Sequence, residues 1–131
     1  MQMRLGEIKT RQNLLAPIVE KKLPPQLDHA IAKNLVRFQE ETQIIESERI
    51  KLLNLYAKKD ENNQPVIVNG SYELEDRRMN FENDFTEFLE TEVDVEIRKV
   101  SCQELLEKLE DARYNALSPA EMLILDFMIE E

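Results

Sequence analysis

A chain of 131 residues, 34% charged and 42% hydrophobic, with one cysteine and a net charge of −10, is one domain's worth of sequence, too apolar to be disordered and too charged for a bilayer. Its longest apolar run is Met122 to Leu125, so neither a membrane span nor a secretory signal is expected. Residues 1–59 carry 11 basic and 7 acidic side chains, whereas residues 60–131 carry 6 basic and 20 acidic ones, so the basic half is expected to pack against the acidic half, or to face it across a dimer.

In chain order, Met1, Met3 and Leu5 alternate with Gln2 and Arg4, which predicts a short strand. Helical spacing follows in Ile8, Leu14, Leu15, Ile18 and Val19, and Pro17 predicts a break near Leu15 because its ring cannot fit a helix interior. Leu23-Pro24-Pro25 ends this segment. Beyond it, Leu27, Ile31, Leu35, Phe38, Thr42, Ile45, Arg49, Leu52 and Tyr56 recur at spacings of three and four, predicting a helix over residues 26–59. At about 1.5 Å per residue such a helix is about 50 Å long. A compact chain of this size is only about 36 Å across. The excess predicts a homodimer in which Leu35, Phe38, Ile45, Leu52 and Tyr56 lie partly across the subunit boundary, with Thr42 and Arg49 as weak points in the seam.

Residues 60–65 read as a loop, and Val66–Val68, Asn69-Gly70, Tyr72 and Leu74 as a β-hairpin, because a type I′ turn needs positive φ at both central residues. Phe81, Phe85, Phe88 and Leu89 predict a helix over residues 77–90 with its aromatics in the core. Val93, Val95 and Ile97 alternate with Glu92, Asp94 and Glu96, predicting a strand with one acidic, solvated face. Ser101 with Glu104, and Ser118 with Glu121, have the spacing of capping boxes, each opening a helix. The last helix, over residues 119–129, is apolar nearly all round. Leu125 is expected in the core, and Phe127 and Met128 at an edge where a partner docks. The expected fold class is α+β and helix-dominated, a long helical hairpin with a small antiparallel sheet of about four short strands in one domain, 1–131.

Catalytic chemistry finds little support. Cys102 alone forms no disulfide and fits a reducing cytoplasm. One His and one Cys exclude zinc sites built from several such ligands, and two glycines, Gly6 and Gly70, make no phosphate loop. Asp28-His29 reads as a solvated first turn rather than a general base. Glu87 with Glu90, and Glu104 with Glu107, are spaced to share helix faces and to hold magnesium, as in a nucleotide hydrolase, but a predicted strand separates them. The chain is therefore read as a non-enzyme without cofactors. Direct nucleic-acid binding is not expected, since the acidic half repels phosphate. Glu92, Asp94 and Glu96 form a regular carboxylate row, which offers an alternative: a mimic of a phosphate backbone that blocks a DNA-binding or defence protein.

The segments "RIKLLNLYAKKDENNQ", "NFENDFTEFLETEVDVEIRKVS" and "LSPAEMLILDFMIEE", following the long helix, resemble a family of small phage and prophage proteins of Gram-positive bacteria. The resemblance covers most of residues 25–131. Phe88 stands where the family has the first of two leucines. The resemblance implies a phage origin and action in the bacterial cytoplasm, and it carries over no catalytic residue. Within it, a protein that binds a host or phage protein is the leading expectation, with a phage-particle assembly factor as a further alternative.

Overall fold

The computed structural model describes residues 1–131. Strand β1 (Gln2–Arg4) leads directly into helix α1 (Leu5–Leu15). Pro17 stops that helix, and a 3₁₀ turn at Ile18–Glu20 carries the chain to Pro24. Helix α2 (Pro25–Tyr56) is the spine, 32 residues long, with proline at its first turn, where the missing N–H costs no intrahelical bond. The hairpin β2 (Ile67–Val68) and β3 (Ser71–Tyr72) turns at Asn69 and Gly70, whose φ values of 53° and 80° are those of a type I′ turn. Helix α3 (Arg78–Leu89), strand β4 (Glu92–Asp94), strand β5 (Val100–Ser101), helix α4 (Cys102–Leu109), helix α5 (Pro119–Leu125) and strand β6 (Ile129–Glu130) complete the chain. No helix is long and apolar enough to cross a membrane.

The architecture is α+β and helix-dominated, but the strands do not form one sheet. They make three separate two-stranded ladders: β1 with β4 antiparallel, β2 with β3 antiparallel, and β5 with β6 parallel. The expected single helix over 119–129 also breaks. After Leu125 the chain tightens into a 3₁₀ turn at Asp126–Met128, and Ile129 and Glu130 pair with Val100 and Ser101. The β-branched Ile129 is held as a strand because β5 offers it an edge at Val100, a tertiary demand that overrides helical pattern.

The main core gathers Met3, Leu5, Ile8 and Leu15 from the N-terminal elements, Leu27, Ile31, Phe38 and Ile45 from α2, and Val95, Leu105, Leu125 and Met128 from the acidic half. A second, smaller core of Leu53, Ala57 and Leu74, flanked by Tyr56, Tyr72 and Phe81, covers the far end of α2. The length of α2 is thus accommodated within one chain. Helices α1 and α3 lie against it and the hairpin folds over its end. This corrects the expected seam at two positions: Phe38 and Ile45 are buried inside the chain, whereas Leu35 packs half-buried on the main core and Tyr56 on the second. Leu52 is half-buried as well. Other apolar side chains of α2, Val36, Ile44, Ile50 and Leu55, are exposed instead.

The two charged halves meet as expected. Lys21 pairs with Glu121 at 2.6 Å, Arg37 with Glu96 at 3.3 Å and Lys58 with Glu75 at 3.4 Å, each joining the first half to the second.

Candidate binding surfaces

The acidic row is the first candidate. Strand β4 places Glu92 and Asp94 on the exposed side, opposite the β1 residues Arg4 and Gln2 in the ladder register, while Val93 and Val95 turn inward. Asp94 accepts from the Met1 ammonium at 3.0 Å, and Glu96 accepts from Arg37. A phosphate mimic needs carboxylates with uncompensated charge, and here cations neighbour the row: Arg4 faces Glu92 in the register, while Asp94 and Glu96 are paired.

Phe127 and Met128 do not form an exposed edge. Met128 is fully buried, with its sulfur 3.5 Å from Asn34 Nδ2. Phe127 is half-buried, its ring centroid 6.0 Å from that of Phe38, and the Arg11 guanidinium sits 4.5 Å from its ring centre. Both residues were expected at the docking edge. The 3₁₀ turn corrects this, because it rotates Met128 into the core and closes Phe127 between α1 and α2.

The residue that takes the exposed position is Leu123, 78% accessible on α5. It stands on a ridge between two clefts. One, of about 490 Å³, is shared with Leu14, Thr10, Arg11, Glu7 and Ile124. The other, of about 460 Å³, holds Met122, Pro119, Cys102, Asp126 and Ile129. Leu14 is itself 45% exposed. The ridge is fixed from below by the full Ser118–Glu121 capping box: Glu121 N–H donates to Ser118 Oγ at 3.1 Å and Ser118 N–H to Glu121 Oε1 at 2.9 Å. The Lys21 ammonium, with those capping bonds, holds the Glu121 carboxyl below its ordinary range. At Ser101 only one arm of the expected box forms, Glu104 N–H to Ser101 Oγ at 3.5 Å.

The titratable candidates stay apart. His29 lines a cleft between α2 and α4, Cys102 lies beside the Leu123 ridge, and Asp28 flanks His29 with its Oδ1 buried and without a partner. Burial pushes the Asp28 carboxyl up. Glu87, Glu90, Glu104 and Glu107 do not converge, and no group of three or more His, Cys, Asp or Glu side chains is placed to hold a metal ion.

Asn34 is the polar residue that periodicity passed over. It occupies the core face of α2 between Ile31 and Phe38, is 0% exposed, and clamps one backbone residue with both ends of its amide. Arg98 N–H donates to its Oδ1 at 2.7 Å, and its Nδ2 donates to the Arg98 carbonyl at 3.0 Å. An asparagine interrupting an apolar helical stripe was the available signal.

No family model, curated protein or solved structure matches the chain.

Proposed function

We propose that the chain is a non-enzymatic interaction protein of phage or prophage origin that binds a host or phage protein through the Leu123 ridge. The single observation that supports the binding surface is the exposure of Leu123 beside the exposed Leu14, on a terminal segment whose other large apolar side chains are buried or half-buried. A leucine this open on a capped helix contributes nothing to the chain's own core, and it gains burial only against another molecule. One cleft carries Glu7 paired with Arg11 at 3.7 Å, and the other is edged by Asp126 and Glu131. The partner's complementary feature is therefore an apolar socket, basic where it meets Asp126 and Glu131. The origin, and with it the bacterial cytoplasm as the place of action, rests on the resemblance of residues 25–131 described above. The mimicry alternative loses support from the cations that neighbour the row at Glu92, Asp94 and Glu96.

The test is a comparison of captures from phage-infected cells, with the parent protein and with Leu123→Lys and Asp94→Asn variants as bait. The expected result is one prey protein lost with Leu123→Lys and retained with Asp94→Asn. A capsid or tail protein as that prey makes the chain an assembly factor. A nuclease or repressor lost with Asp94→Asn and retained with Leu123→Lys would overturn the ridge and restore mimicry.

A further inference from the structure

On a chain with a net charge of −10, one groove is positive. It runs between the first half of α2 and the backbone of residues 96–101, and it joins two clefts of about 570 Å³ and about 580 Å³ that share Arg98, Lys99 and Glu130. Helix α2 contributes His29, Lys33 and Arg37 at intervals of four residues, so they form one row. The opposite wall contributes Arg98, Lys99 and Lys108. Those three are half of the six basic residues in the acidic part of the chain.

The cations are only partly compensated. Arg37 is paired with Glu96, and Lys108 donates to Gln26 Oε1 at 2.8 Å. Lys33, Arg98 and Lys99 have no ion-pair partner anywhere in the chain. Two further carboxylates, Glu104 and Glu130, line the groove, so its balance remains positive. Like charges gathered at the mouth of a groove repel one another, and the arrangement is held by the buried amide of Asn34, which fixes the Arg98 backbone against α2. The wall carrying Arg98 and Lys99 is therefore set before any ligand arrives, which lowers the ordering cost of binding. The first cleft also has an apolar side made by Pro24, Leu27, Val100 and Leu105. A volume of this size suits a small molecule.

We propose that this groove binds an oligophosphate of the size of a nucleoside triphosphate, its phosphates on Lys33, Arg98 and Lys99 and its ring against the apolar side. A phosphate run offers several charges at short spacing, which matches three unpaired cations better than one carboxylate does. The site is separate from the Leu123 ridge and does not depend on it.

The test is calorimetric titration of the full-length protein with inorganic triphosphate and with ATP at low and at physiological salt. Both are expected to bind saturably below millimolar concentration, ATP at least as tightly, and affinity is expected to fall with salt. Arg98→Ala and Lys99→Ala should each weaken binding about tenfold or more, the loss of one charge-assisted contact. Both side chains are exposed, so the melting temperature of each variant should stay at the parent value. Lys51→Ala, far along α2, should bind like the parent. Absence of saturable binding, equal binding by the Arg98 and Lys99 variants, or tighter binding of a glutamate-rich peptide than of triphosphate would each overturn the proposal.

Discussion

Replacing Asn34 by leucine removes a buried amide of similar volume and leaves its two backbone partners, the N–H and C=O of Arg98, without their present bonds. A buried donor or acceptor stripped of its partner costs about 1–3 kcal/mol. The bonds at 2.7 Å and 3.0 Å are both part-buried, so solvent recovers a share of each. The gain from an added apolar side chain beside Met128 offsets some of the rest. The net expectation is a loss of about 2–4 kcal/mol. With a urea m-value of about 2 kcal/mol/M for a chain this size, the unfolding midpoint followed by far-ultraviolet circular dichroism should fall by about 1–2 M. Asn34→Asp separates the hydrogen-bonding argument from simple packing. It keeps the acceptor for Arg98 N–H but sets a carboxylate against the Arg98 carbonyl in a buried place. Complete burial and that carbonyl raise its folded pKa, while the Arg98 N–H and the groove cations lower it. The expected balance for a side chain 0% exposed lies above the unfolded value near 3.9. The folded state then holds the proton more tightly, so the variant is least destabilised below the unfolded pKa and loses stability as pH rises through the folded one. A midpoint for Asn34→Leu within 0.3 M of the parent, or an Asn34→Asp variant whose deficit is the same at pH 4 and pH 7.5, would refute the clamp.

Three further outcomes are expected. Leu125→Ala should cost about 2–5 kcal/mol, because Leu125 is fully buried, while Leu123→Ala should stay within about 0.5 kcal/mol; thermal melts of the two variants distinguish core from ridge. Gly70→Ala should destabilise the hairpin by about 1–2 kcal/mol through its positive φ alone, since nothing lies within 4 Å of the added methyl, and hydrogen exchange should show the loss confined to residues near 58–74. Glu121, whose pKa is lowered by Lys21 and the Ser118 cap, contributes stability that is present above its unfolded pKa near 4.3 and is lost as pH falls through the folded value; Glu121→Gln should flatten that acid limb in denaturation curves recorded from pH 5 downward.

The long helix, the break at Pro17 and the Asn69-Gly70 turn were legible because each depends on local rules: apolar spacing, a fixed φ and positive φ. The position of Leu125 was legible for the same reason. The terminal segment was not. Met122 to Ile129 reads as helix by composition, and only the open edge of β5 at Val100 and Ser101 makes its last residues a strand. The cover on the far end of α2 was not legible either, because nothing local says that residues 58–74 fold back over Leu53 and Ala57. The ridge at Leu123 and the cationic groove were hidden for a related reason. Lys33, Arg37, Arg98, Lys99 and Lys108 are scattered in sequence and meet only through the fold.

The division between a main core of fifteen buried residues and a distal one of three gives the molecule two tiers of cooperativity. Helix α2 belongs to both, but the hairpin end rests on little buried surface, and α3 supports it from outside through Phe81 and through Asp84, which accepts from the Tyr56 hydroxyl. Such a unit opens sub-globally at a free energy well below that of the whole chain. The amides of residues 53–74 should then exchange faster than those around Ile31 and Phe38. A protease should nick the 60–65 loop in the native state, while the Leu123 ridge and the cationic groove, both anchored in the larger core, keep their shape.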